Sequence, residues 1–144
     1  MTVAENYAER RNRLRCLVEA GAIVLFGLSS IRYFTGFSGS NALLWIDSFA
    51  ADNDVLITDA RYTLQAFAEC PGIAVESCSA RGSAALTEVS ERRHLHANTL
   101  GVDGEFLNWL DYQELAAWLS SCTQQDLTSA GMTEGLSDVS AHIA

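Results

Sequence analysis

Along this chain the apolar positions change rhythm several times. Over residues 5–20 they recur at helical spacing, with Tyr7, Leu14, Leu17 and Val18 on one face and Arg10, Arg11, Arg13 and Glu19 mostly elsewhere. Gly21 is placed to stop that helix. The run AIVLF (22–26) is short, unbroken and apolar, as a strand buried on both faces requires. After a stretch read as a turn, SIRYFTGFSGS (30–40), two more apolar runs follow: NALLWID (41–47) and VLITD (55–59). The acidic segment between them is short enough for an antiparallel hairpin. ARYTLQAFAEC (60–70) predicts a helix capped by Asp59, with Leu64, Phe67 and Ala68 turned inward. Pro71-Gly72 ends it, and IAVESC (73–78) predicts another strand. A helix over 82–95, a short strand over 99–104 and a helix over 111–121 that Asp111 caps complete the pattern. The order is that of an α/β layer on a mixed sheet. Residues 123–144 are poor in large apolar side chains and rich in Ser, Thr and Gly, the composition of a tail or linker.

With 144 residues and 49% hydrophobic content, the chain suits one domain with a core of its own. Acidic residues number 18 against nine cations, for a net charge of -9. That balance argues against duplex nucleic acid and against an anionic membrane as partner. All nine cations are arginine. A Schiff-base lysine and a P-loop lysine are therefore excluded. Cys16, Cys70, Cys78 and Cys122 are scattered without a zinc spacing and read as reduced packing residues. The N-terminal segment lacks an apolar signal core, and no apolar run nears the roughly 20 residues of a membrane span. A cytoplasmic protein is expected.

Few motifs carry chemistry. GFSGS is not a nucleophile elbow, since a strand follows it, nor a dinucleotide-binding fingerprint. His94-x-His96 has no patterned carboxylate or cysteine around it, and His142 lies in the tail. Asp47, Asp54, Asp59 and Asp103 fall at strand ends, where helix capping competes with chemistry as their role. Two stretches stand out. In DARY, the planar fork of Arg61 suits a carboxylate, whether a ligand's or that of Asp59 or Asp47. In RYFTGFSGSN, Tyr33, Phe34 and Phe37 cannot all face one core from such a bend. At least one is expected outside, with Phe34 the better buried plug than Phe37.

These stretches together resemble a known pattern. Ile31-Arg32-Tyr33-Phe34-Thr35-Gly36-Phe37-Ser38-Gly39-Ser40, a strand, and then Leu56-Ile57-Thr58-Asp59-Ala60-Arg61-Tyr62 are similar to the N-terminal domain of the creatinase/prolidase/aminopeptidase P family. The opening ERRNRLRCLVEAGAIVLF and the later LGVDGEFLNWLDYQEL match its first and last helix–strand segments. The resemblance implies a three-layer α/β domain, with a mixed β-sheet, flanking helices and a ribonuclease-H-like motif, over residues 1–122. Residues 123–144 would lead toward a catalytic domain that is not in this sequence.

That catalytic domain would hold two divalent metal ions (Mn, Co or Zn) and hydrolyse peptides with proline after the scissile bond, or creatine-like molecules. This chain would hold neither catalytic nor metal residues. It would shape the substrate entrance of a metal-dependent Xaa-Pro peptidase and support a homodimer or homotetramer. Tyr33, Phe37, Ser38 and Arg61 are the candidate substrate-binding residues, and proline-containing peptides the expected ligands. Two alternatives remain: a stand-alone peptide- or protein-binding module derived from that fold, and a small independent enzyme using Asp47, Asp59 or His94 with a metal.

Overall fold

The computed structural model describes residues 2–122 and 135–143. Six strands form one mixed sheet: β1 (Ala22–Leu25), β2 (Leu43–Asp47), β3 (Val55–Thr58), β4 (Ala74–Ser77), β5 (Leu100–Val102) and β6 (Leu136–Asp138), in the spatial order β4-β3-β2-β1-β5-β6. β1, β2 and β3 pair antiparallel, and the pairs β3–β4, β1–β5 and β5–β6 are parallel. Helices α1 (Val3–Leu17), α2 (Leu28–Thr35), α3 (Thr63–Glu69), α4 (Ser83–Arg93), α5 (Trp109–Cys122) and α6 (Ser140–Ile143) flank it. The expected three-layer α/β architecture and the β2–β3 hairpin are both present.

The unbroken apolar runs are explained by the two faces. Ala22, Val24, Leu43, Trp45, Val55 and Ile57 pack with Leu86 and Val89 of α4 and Leu115, Trp118 and Leu119 of α5. Their neighbours Ile23, Leu25, Leu44, Ile46 and Leu56 point the other way, onto Leu14, Ile31, Phe34 and Ala66 from α1, α2 and α3. Side chains alternate along a strand, so a sheet covered on both faces needs apolar residues at every position. On the second face Arg11 is buried with Leu14. It donates through Nε to Asp54 at 3.2 Å, and Arg15 binds the same carboxylate at 2.9 Å. The first helix was expected to keep Leu17 inside and Arg11 out. It ends at Leu17, which is exposed, because Arg11, Leu14 and Val18 form the buried stripe instead.

Five further expectations are corrected. The stretch read as a turn contains α2. Ile31, Phe34 and Thr35 line its buried face, the Thr35 hydroxyl donates to the Ile31 carbonyl, and Gly36 closes it at φ 87°. In α3 the inward residues are Ala66 and Cys70, not Leu64, Phe67 and Ala68. Leu64 is 84% exposed and Phe67 60%. This seven-residue helix turns only small side chains toward the sheet. Asp59 does not cap that helix, which starts at Thr63. The cap of α5 is Asn108, whose Oδ1 accepts from the Asp111 amide at 2.7 Å. Finally, the supposed tail includes β6, and Val139 beyond it is buried. A three-residue strand added in parallel to β5 needs little apolar sequence, so composition did not reveal it.

Candidate functional site

Residues 36–42 form the loop between α2 and β2, and they lie against the turn that carries Asp59 and Arg61 between β3 and α3. Gly36 begins it in the left-handed region, where a Cβ would stand 2.9 Å from the Glu69 carbonyl oxygen. Phe37 follows and is buried, 1% exposed, with its ring edge-on to Tyr62 at 6.0 Å. The sequence favoured Phe34 over Phe37 as the plug. Both are buried, and the aromatic left outside is Tyr33 at 49% exposure. Gly39 passes directly over the Phe37 ring: a Cβ there would lie 2.2 Å from Cζ. The loop is therefore stacked on its own aromatic.

Polar contacts fix the rest of it. Ser38 donates to Glu69 twice, from its amide at 3.1 Å and from its hydroxyl at 2.5 Å. Gln65 Nε2 donates to both members of that pair. The Ser38 hydroxyl bond is the main reason the Glu69 carboxyl lies below its ordinary range. Ser40 shares a hydrogen bond with the Tyr62 hydroxyl. Asn41 Nδ2 donates to Asp59 Oδ2 at 2.7 Å, and its carbonyl accepts from the Thr58 hydroxyl at 2.6 Å.

Arg61 completes the cluster. Its Nε and Nη2 donate to the two oxygens of Asp59 at 3.1 and 2.9 Å, the bidentate pairing a guanidinium favours. The Arg61 amide also donates to Asp59 Oδ1. The Arg61 bonds first, and that from Asn41 second, hold the Asp59 carboxyl far below the usual carboxylate range, while Asp59 raises Arg61. Of the carboxylates weighed from sequence, Asp59 is the one Arg61 engages. The Arg61 side chain is still 59% exposed, with its guanidinium carbon 5.1 Å from the Tyr62 ring centre.

Phe37, Ser38 and Arg61 thus come together around Tyr62 and the Asn41–Asp59 bridge. Tyr33 belongs elsewhere. Its ring lies under the Arg10 guanidinium at 4.4 Å, and it lines a cleft of about 310 Å³ with Ser29, Ser30, Asp103 and Phe106. Glu69, Gln65, Tyr62 and Asn41 brace the loop but were not singled out from sequence. The one available signal was the four-residue spacing of Gln65 and Glu69, which puts both on one helix side.

The strand-end acids are occupied by their own chain. Asp47 Oδ1 accepts from the amides of Phe49 and Ala50. Asp54 holds Arg11 and Arg15 of α1. Asp103 is buried and accepts from the amides of Phe26 and Gly27 at 2.7–3.1 Å. His94 ends α4 at φ 56°, and His96 Nε2 lies 3.1 Å from the Cys122 carbonyl oxygen. Among the described residues no group of three or more His, Cys, Asp or Glu is placed to hold a metal ion. No helix among them is long and apolar enough to cross a membrane.

Comparison with known proteins bears on this arrangement. The family profile described as Creatinase/Prolidase N-terminal domain matches residues 10–133. The N-terminal domain of the cytoplasmic peptidase PepQ from Mycobacterium tuberculosis H37Rv superposes with a TM-score of 0.69 at 25% identity, covering 94% of this chain and 95% of that one. An Xaa-Pro aminopeptidase structure from Streptococcus pyogenes gives a TM-score of 0.65 at 25% identity, with 96% of both chains covered. The Xaa-Pro dipeptidase from Bacillus anthracis gives 0.63 at 19% identity. There 83% of this chain matches 31% of the other, so the present chain spans about a third of that protein. No curated protein matches the chain.

Proposed function

The chain belongs to the creatinase/prolidase N-terminal domain family, and on that premise we propose that it is the non-catalytic N-terminal domain of a metal-dependent Xaa-Pro peptidase. Hydrolysis belongs to a partner catalytic domain with two divalent metal ions, and this domain shapes the entrance through which proline-containing peptides reach them. The observation that carries the reading is the braced loop over residues 36–42. It is built for a fixed shape: glycines where side chains would collide, Phe37 wedged beneath, and Ser38 and Asn41 tied to α3 and β3. A fixed loop beside a half-free guanidinium suits recognition of a substrate carboxylate without further ordering cost.

The four candidate residues then divide by role. Arg61 meets the peptide, because its side chain remains more than half exposed while Asp59 holds it in orientation. Ser38 presents backbone and hydroxyl at the loop tip. Phe37 supports the loop from below, and Tyr33 forms a separate flank over the cleft at Asp103. The domain also supports contacts between copies of the protein, in a homodimer or homotetramer.

The test uses the product of the complete reading frame, assayed on Xaa-Pro dipeptides with Mn, Co or Zn. Arg61→Ala is expected to lower kcat/KM at least roughly tenfold, the size of a lost charged contact, with bound metal unchanged. Unaltered kinetics in both Arg61→Ala and Ser38→Ala overturn the entrance role.

A further inference from the structure

The two edges of the sheet are treated differently, and the difference points to a partner. At the β4 edge the Ser77 carbonyl accepts from Arg92 Nη2 at 2.9 Å, and Glu76 is pinned by Arg92 and Arg93. Charged side chains placed this way keep a foreign strand from pairing. At β6 the register turns Gly135, Ser137 and Val139 toward β5: Leu100 N–H donates to the Gly135 carbonyl and Val139 N–H to the Val102 carbonyl. Leu136 and Asp138 therefore aim their amides and carbonyls outward. Among the described residues none of these groups has a partner.

This open edge borders an apolar cleft of about 520 Å³. All three β6 residues line it, facing Leu107, Trp109 and Tyr112. The Trp109 and Tyr112 rings stack at 5.6 Å with 19° between planes, and Trp109 is 71% exposed. Unpaired strand groups and apolar pockets for alternate side chains are the two components of strand-addition recognition.

Charge selects the occupant. Among the described residues the one carboxylate lining the cleft is Asp138, and bonds from Ser140 hold it below its ordinary pKa. No arginine among the described residues lines the cleft, and the chain carries a net charge of -9. A second copy would bring the same negative charge and a second Asp138 to the contact. We propose that β6 accepts an extended basic segment of another protein as a seventh strand, its alternate apolar side chains packing on Trp109, Tyr112 and Leu136.

The experiment is a fluorescence-anisotropy titration of the 144-residue chain with a labelled Arg-Val-Arg-Val-Arg-Val peptide, an acidic Glu-Val-Glu-Val-Glu-Val control, and a basic peptide N-methylated at alternate residues. The basic peptide is expected to bind, and Trp109→Ala to weaken it roughly tenfold or more, as loss of an aromatic anchor does. Trp109→Ala should leave the melting temperature unchanged, since the ring is exposed. The N-methylated peptide, unable to donate to the edge, should lose most of the binding, and the acidic one should not bind.

Absence of binding overturns the proposal, as does equal binding of the acidic or N-methylated peptide. Self-association of the chain that Trp109→Ala abolishes assigns the cleft to a second copy and equally overturns it. So does binding that disappears in the product of the complete reading frame, which would assign the cleft to further chain of the same protein. This test is independent of peptidase activity, so either reading can fail alone.

Discussion

Asp103 is a buried acid with no cation beside it. It bridges the ends of β5 and β1 by accepting the amides of Phe26 and Gly27. Burial nonetheless raises its pKa, with a smaller push from Asp138. A group that binds its proton more tightly when folded stabilises the fold below its unfolded pKa, about 3.9 for aspartate, and loses that contribution as pH rises through the folded value. Asp103→Asn keeps one acceptor and does not titrate. The stability advantage of the native protein over Asp103→Asn should therefore shrink between pH 4 and pH 7, as read from urea midpoints. Other titrating groups are common to both proteins and cancel. An advantage that grows with pH would contradict the assignment.

Among the elements, α3 separates hydrophobicity from burial most sharply. Its large apolar residues face solvent, and its inner face is Ala66 with Cys70 beyond its end, whose thiol burial pushes up to about 11. Leu64→Ser should change the unfolding free energy by no more than about 0.5 kcal/mol, whereas Ile31→Ala in α2 should cost about 2–5 kcal/mol by cavity formation. Chemical denaturation of the two variants checks the contrast.

The same contrast explains what the sequence revealed. The strands were legible because a sheet covered on both faces leaves unbroken apolar runs such as 22–26 and 43–47. The helix at 28–35 was hidden by its length and by the glycines after it, which read as one turn. β6 was hidden because a three-residue strand leaves almost no pattern. At the candidate site, Ser38 and Arg61 were singled out through their motifs. The bonds of Ser38 to Glu69 and of Asn41 to Asp59 cross 31 and 18 residues, and no local spacing signals them.

For the whole molecule, the buried charges on Asp54, Arg11 and Arg15 join α1 to the β2–β3 hairpin across about forty residues. Asp54 Oδ1 also accepts the Asp47 amide at 2.9 Å, so the carboxylate joins helix, strand and turn at one point. Asp54→Ala leaves the Arg11 guanidinium buried without its counter-charge, and should cost about 3–5 kcal/mol. Urea titration monitored at the buried Trp45 reads the loss, and a cost below about 1 kcal/mol would show that water replaces the carboxylate.

The strand order also bears on how the chain is laid down during synthesis. β1 to β4 occupy residues 22–77 and pair with neighbours close in sequence, so that four of the six strands can assemble while the ribosome still works on α4 and α5. β5 must then return across the chain to dock on β1, and β6 arrives last, held on one side by three residues. A strand that joins late and is held on one side is the first to leave. Its amides should exchange with deuterium ahead of those of β1 and β2, which makes the β6 end the place where this fold begins to open.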